Sequence, residues 1–185
     1  MTLDVRPLGL DGVVEIRPSK FSDARGFFSE IYNAERFRAA GIDAAFVQDN
    51  HSYSAAKGVL RGLHYQLPPS AQDKLVRVVR GAIFDVVVDI RRSSPSFGKW
   101  VGLEMSAGTW NQIFIPRGFA HGFVTLEADT EVIYKVSDVY APTLDRSIRF
   151  DDPDIGIVWP VSAELIQVSD KDRAAPPLAA ADVFD

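Results

Sequence analysis

The sequence has no cysteine, which excludes disulfide scaffolding, thiolate zinc sites and cysteine nucleophiles together. It also lacks a long apolar run. The longest stretch without a charged residue, 105–116, is twelve residues, short of the roughly 20 that cross a bilayer as a helix. Nor is there an excess of positive charge: 20 Lys and Arg stand against 25 Asp and Glu, a net charge of −5. That balance argues against a broad basic face for nucleic acid or anionic lipid, while leaving room for a local cationic pocket. Asp4, Arg6 and Asp11 fall where a secretion signal would need an unbroken apolar core, so a cytoplasmic protein that binds neither membrane nor nucleic acid is expected. No nucleophile elbow, P-loop or dinucleotide fingerprint occurs.

What is present reads as one globular unit. A chain of 185 residues, 46% hydrophobic and 24% charged, fits a single domain over 1–185. Its Pro- and Ala-rich tail after about Arg173 is expected to be loosely held. Short β-rich runs recur about every ten residues, at 12–16, 26–32, 45–50, 58–66, 74–80, 82–90, 99–105, 111–115, 122–126, 131–136 and 146–150. This spacing predicts an all-β sandwich or barrel. One internal helix is expected from a cap at Asn33 to a stop at Gly41, and a second nucleates near Ser162.

Alternation along two runs suggests a cavity. Phe84, Val86, Val88 and Ile90 share one face, with Ile83, Asp85, Val87 and Asp89 on the other. Val132, Tyr134 and Val136 lie opposite Ile133 and Lys135. Polar groups among aliphatic ones inside a barrel suit a ligand cavity, although periodicity alone favours Asp85 and Asp89 facing water. The three histidines, His51, His64 and His121, stand singly on separate segments. There is no His-x-His or His-Glu-x-x-His spacing, so a three-histidine metal site is the weaker reading.

Nine segments occur in an order that carries a resemblance: DARGFFSE (23–30), FVQDNHSYS (46–54), GVLRGLHYQ (58–66), DKLVRVVRG (73–81), FDVVVDIRRSSPSFGKWVG (84–102), IPRGFAHGF (115–123), YKVSDVY (134–140), DDPDIGIVWP (151–160) and SDKD (169–172). Together they resemble the dTDP-4-dehydrorhamnose 3,5-epimerase family, whose members turn dTDP-4-keto-6-deoxy-D-glucose into dTDP-4-keto-L-rhamnose. The resemblance implies a cupin-like jelly roll that works without metal or cofactor, usually as a homodimer, on a dTDP-linked 4-keto-6-deoxysugar. It also implies the site. His64 is the base, paired with Asp172, Tyr134 is the acid on the other face of the sugar, and Lys74 supplies positive charge to the enolate. Substrate contacts fall on Arg25, Phe27, Glu30, Gln48, Asp49, Asn50, Arg61, His121, Asp145 and Lys171, with Tyr140 stacking on the thymine. In relatives the N-terminal strand region reaches across the dimer, so Arg25 and Glu30 are assigned to the partner's pocket, against the plainer reading of a local ion pair.

Strand parity sets one condition. In an unbroken strand Arg61 and His64 would point to opposite faces, so both reach one pocket only if Gly62 marks a bulge. Departures from the family pattern are Phe150 where Trp is common, Asp145 where Glu is common, and Asp170 where Glu or Ala is usual. The last leaves Asp170 and Asp172 as two candidates beside His64. Three rivals stay open: a relative that epimerises only carbon 3 or carbon 5 of a related ketosugar, a silent sugar-nucleotide binder, and a metal cupin.

Overall fold

In the computed structural model, residues 3–185 are described, and they form two antiparallel sheets packed face to face. The strands are β1 (Asp4–Pro7), β2 (Val14–Arg17), β3 (Phe21–Asp23), β4 (Gly26–Phe28), β5 (Gln48–Ser54), β6 (Leu60–Gln66), β7 (Lys74–Arg80), β8 (Ala82–Asp89), β9 (Trp100–Ser106), β10 (Gln112–Ile115), β11 (Phe119–Thr125), β12 (Thr130–Val136) and β13 (Asp145–Ser147). One sheet runs β1-β2-β10-β7-β12-β5 and the other β13-β6-β11-β8-β9, with β3-β4 a separate hairpin. From β5 onward the chain hops repeatedly between the sheets, the connectivity of the expected jelly roll.

Successive side chains of the sheet strands enter different layers. Between the sheets lie Val76, Val78, Ile83, Val87, Ile113, Phe123 and Val132. Behind β6, β11 and β8 lies a second apolar layer of Leu63, Tyr65, Val86, Val88, Ala120 and Ile148, closed by Leu178 and Ala181. Behind the other sheet, Phe37 joins Ile16, Leu75 and Phe114. Phe37 belongs to helix α1 (Ala34–Ala39), which starts where Asn33 accepts the Arg36 N–H at 3.2 Å and ends before Gly41, as the capping residues imply.

Several expectations are corrected. The strand expected over 26–32 ends at Phe28, and the helix near Ser162 is a single 3-10 turn, Ala163–Leu165. Asp85 and Asp89 are fully buried rather than facing water, because both faces of β8 are covered and its polar side faces the sandwich interior. Asp89 is held there by Arg91 at 2.7 Å, Ser94 at 2.6 Å and Ser96 at 2.7 Å. The tail is not loose. Leu178 and Ala181 are buried in the rear layer, and Phe184 exchanges backbone hydrogen bonds with Ile90 and Arg92. Its alanines and prolines are small or stiff enough to lie flat over the sheet. Among the described residues no helix is long and apolar enough to cross a membrane.

Candidate active site

A cleft of about 750 Å³ opens between the sheets, walled by β6 and β11 on one side and by β5, β7 and β12 on the other. The β6 wall depends on an irregularity. His64 is opposite His121 and Arg61 is opposite Phe123, so three steps along β6 match two along β11. This one-residue bulge lets Arg61 and His64 share a face, meeting the parity condition. Gly62 lies at its centre with φ +130°, and a Cβ there would come within 2.5 Å of the Gly122 Cα. Gly122 is equally constrained, since a Cβ would lie 2.8 Å from the Arg61 carbonyl oxygen. Only two facing glycines let the strands approach this closely.

His64 is half-buried on the cleft wall, and its Nε2 lies 2.5 Å from Asp172 Oδ1. Asp172 is 3% exposed and belongs to a one-turn helix, α2 (Asp170–Arg173), started by Ser169, whose Oγ accepts the Asp172 N–H at 3.1 Å. Asp170 is exposed, so the partner of His64 is Asp172. Burial alone would raise the Asp172 carboxyl. Hydrogen bonding and charge from His64, with hydrogen bonds from Ser169 and the Gly62 backbone, outweigh it and hold the group below the ordinary carboxylate value.

Tyr134 on β12 lines the opposite wall. Burial raises its phenol above the usual value, against the opposing charge of Arg61. Lys74 on β7 is buried and reaches across the sandwich, its Nζ donating to the His64 carbonyl at 3.2 Å. Burial pushes this ammonium down to about 8, with Asp85 and Asp145 pulling the other way. His121, 7% exposed, is held through Nε2 by Asp85 Oδ2 at 2.8 Å.

At the mouth, Tyr140 is exposed. Its N–H donates to Gln48 Oε1 at 3.0 Å, and Gln48 donates to Asn50 at 2.9 Å. Asp145 pairs with Lys171 and accepts from the Tyr140 hydroxyl at 3.4 Å. The structure therefore brings together His64, Asp172, Tyr134, Lys74, Gln48, Asn50, Arg61, His121, Tyr140, Asp145 and Lys171.

Four expected residues stand elsewhere. Asp49 is on the opposite face of β5, paired with Lys135 at 2.9 Å, as strand alternation requires. Arg25 pairs with Asp23 at 2.6 Å on the β3–β4 hairpin, the local ion pair of the plainer reading. Glu30 pairs with Arg36 at 3.0 Å, and Phe27 packs edge-on against Trp110 with centroids 4.8 Å apart.

Sequence reasoning missed Asp85 as the anchor of His121. It also missed Gln66, whose amide holds the mouth loop through Ala141 N–H at 2.8 Å and the Ser70 carbonyl at 2.7 Å. Asp85 gave a signal: it shares its strand face with Ile83 and Val87, which is a core face. His51, the third histidine, pairs with Glu131 at 2.9 Å outside the cleft. Each histidine is thus tied to a different carboxylate, and among the described residues no group of three or more His, Asp or Glu side chains converges as a metal site would need.

Two opposed walls, one bearing an imidazole on a buried carboxylate and the other a half-buried phenol, with an ammonium between them, suit proton transfer at both faces of a bound ring. Comparison with known proteins agrees. The family model described as dTDP-4-dehydrorhamnose 3,5-epimerase matches residues 7–180. The dTDP-4-dehydrorhamnose 3,5-epimerase of Shigella flexneri is 51% identical over 173 residues, covering 93% of this chain and 94% of its own. The dTDP-4-dehydrorhamnose 3-epimerase of Streptomyces niveus is 37% identical over 169 residues, 91% of this chain and 81% of its own. The crystal structure of the dTDP-6-deoxy-D-glucose-3,5-epimerase of Legionella pneumophila in complex with dTDP-4-keto-L-rhamnose superposes with a TM-score of 0.93 at 46% identity, over 97% of this chain and 95% of that one. With the sandwich, the bulged β6 and the His64–Asp172 pair already in place, these likenesses lead to one conclusion: the chain belongs to the dTDP-4-dehydrorhamnose 3,5-epimerase family.

Proposed function

We propose that the protein converts dTDP-4-keto-6-deoxy-D-glucose to dTDP-4-keto-L-rhamnose by inverting carbons 3 and 5. The observation that carries this reading is the placement of His64 and Tyr134 on opposed walls of one cleft. Inversion beside a ketone removes a proton from one face of the ring and returns one to the other. With its Nε2–H donated to Asp172, His64 carries its basic lone pair on Nδ1 and takes the proton from carbon. The electron pair moves into the enolate, whose oxygen is stabilised by the Lys74 ammonium. Tyr134, a phenol raised by burial and so protonated at neutral pH, donates to the opposite face. Solvent exchange then returns the imidazolium and phenolate to their starting states. Arg61 and Lys171 answer the diphosphate and the exposed Tyr140 ring answers the base.

The higher identity to a 3,5-epimerase than to a 3-epimerase supports double inversion. Dimerisation completes the reading. Arg25, Phe27 and Glu30 stand away from the cleft, on or beside a hairpin that exposes Phe21, Phe27 and Phe28, an apolar surface suited to a second copy. Sedimentation equilibrium of the intact protein should return a dimer mass; a monomer would remove these three residues from the site.

Deuterium uptake from heavy water into the substrate, followed by mass and proton NMR, tests the function. Uptake at carbons 3 and 5, abolished in His64→Ala, is expected. Uptake at one carbon would make the protein a single-carbon epimerase, and none at either would refute the reading.

A further inference from the structure

The segment DDPDIGIVWP takes no part in the cleft, yet its Asp152 is 2% exposed in the apolar layer behind β6. Oδ1 accepts the Asp154 N–H at 2.9 Å and Oδ2 accepts the Leu178 N–H at 2.6 Å. A buried carboxylate costs more than two backbone donors require. What it adds is a short, charge-assisted bond that fixes position.

The position fixed is that of the C-terminal segment, a strap behind the strand that carries the base. Helix α2 is a single turn and cannot hold its own shape, so Asp172 sits where the flanking chain is anchored. Upstream, Gln167 exchanges backbone hydrogen bonds with Gly58 and Leu60. Downstream, Ala174 caps α2 and Pro176 accepts from Arg149. Pro177 then holds extended backbone at φ −67° and ψ 160° up to Leu178. A Pro-Pro spacer is stiff, so a shift at Leu178 passes to α2 instead of being absorbed. The strap continues along the sheet, with the Tyr65 hydroxyl donating to the Asp182 carbonyl and Phe184 bridging Arg91. Tyr65 and His64 are neighbours on β6, so the strap grips the strand that carries the base.

We propose that Asp152 is a positioning residue for the His64–Asp172 pair, acting through the C-terminal strap that it fastens behind β6. The proposal rests on the reading of His64 as the base.

The test compares Asp152→Asn with Val86→Ala, a cavity variant in the same layer but outside the strap. Three quantities are read: kcat and KM, the acid limb of the pH profile of kcat/KM, and the low-field proton resonance of the His64–Asp172 hydrogen bond. Misplacement of a catalytic group by about 1 Å costs on the order of 100-fold. Asp152→Asn is accordingly expected to lower kcat about 10- to 100-fold with KM within about two-fold, to move the acid limb to lower pH and to shift or erase the resonance. Val86→Ala should lose comparable Tm with neither the limb nor the resonance moved. Should Asp152→Asn fail to fold, Asp152→Glu keeps the carboxylate and the buried Leu178 side chain but displaces the acceptor by one methylene, and the same changes are expected in smaller measure. A resonance and acid limb unmoved in the folded variant would overturn the proposal and leave Asp152 a stability residue. If wild type and His64→Ala show the same proton exchange, it is the reading of the base that fails. The resonance, which needs no turnover, still decides whether Asp152 sets the pair.

Discussion

Among the described residues two histidine–aspartate pairs differ in how they are built. His64 and Asp172 are 108 residues apart and join a sheet strand to a one-turn helix on the C-terminal strap. His121 and Asp85 are 36 apart and sit on adjacent strands β11 and β8. The side chain of His64 is 33% exposed and that of His121 is 8% exposed. Similar chemistry therefore serves two ends. An imidazole that must gain and lose a proton needs a path to substrate and a partner that steadies its charged form. An imidazole that only fixes a contact is best locked between paired strands. On the proposed reading the open pair carries the turnover, while the closed pair fixes the shape and charge of its surroundings.

The comparison breaks most sharply at Asp172. Asp172→Asn keeps the shape but removes the charge that steadies the imidazolium, so kcat should fall about 100- to 1000-fold, within the range of general-base effects. Without the neighbouring negative charge the charged imidazolium is less favoured, so the acid limb of kcat/KM should move to lower pH while the Kd for dTDP stays near wild type. An acid limb that stays in place would mean that another group is the base. Gly62→Ala attacks the geometry shared by both pairs. Its Cβ would sit 2.5 Å from the Gly122 Cα, forcing β6 from β11 and turning Arg61 and His64 off their common face. A loss of about 100-fold in kcat/KM is expected, with weaker dTDP binding as well, because Arg61 moves with the base. Retained dTDP affinity would show that Arg61 does not need the bulge.

Much of this was legible in the sequence, for physical reasons that also mark where legibility ends. The recurrence of β-rich runs about every ten residues located most strands, and the Arg61–His64 parity conflict pointed to the bulge at Gly62. Strand alternation, taken as apolar-in and polar-out, sent Asp85 and Asp89 to solvent. That rule fails for a strand covered on both faces, and Ile83 and Val87, on the face of the two aspartates, carry the sign. Alternation would also have separated Asp49 from Gln48 and Asn50. Helix α2 has no periodicity to read in four residues. The packing of the tail depends on contacts with Ile90, Arg149 and Asp152, which no local pattern of alanine and proline records.

Asp89 marks the stability end of the same strand. Burial raises its carboxyl, but the hydrogen bonds from Arg91, Ser94 and Ser96 outweigh it and hold the group at about 2. An unfolded aspartate titrates near ~3.9. The depressed value thus contributes stability that is fully present above pH ~4 and is lost as pH falls towards about 2, on the order of 2 kcal/mol. Asp89→Asn should lower Tm at neutral pH by roughly 4–8 °C and flatten the fall in Tm between pH 4 and 2, with little change in kcat. A wild-type fall undiminished in the variant would assign acid lability to other carboxylates.

The smallest effect sharpens the comparison from the closed side. Asp85 Oδ1 is buried without a hydrogen-bond partner, so Asp85→Asn can keep its oxygen on His121 Nε2 and place the amide where the lone oxygen was, at little steric cost. What disappears is a negative charge that holds up the Lys74 ammonium, already lowered by burial to about 8. Its pKa should fall further, so the variant loses enolate stabilisation at lower pH than wild type does. The basic limb of kcat is expected to shift to lower pH, with about a ten-fold loss at neutral pH and the acid limb unmoved. A basic limb that stays put, with His121 contact and activity intact, would confine Asp85 to shaping the closed pair and leave the charge of Lys74 to Asp145 alone.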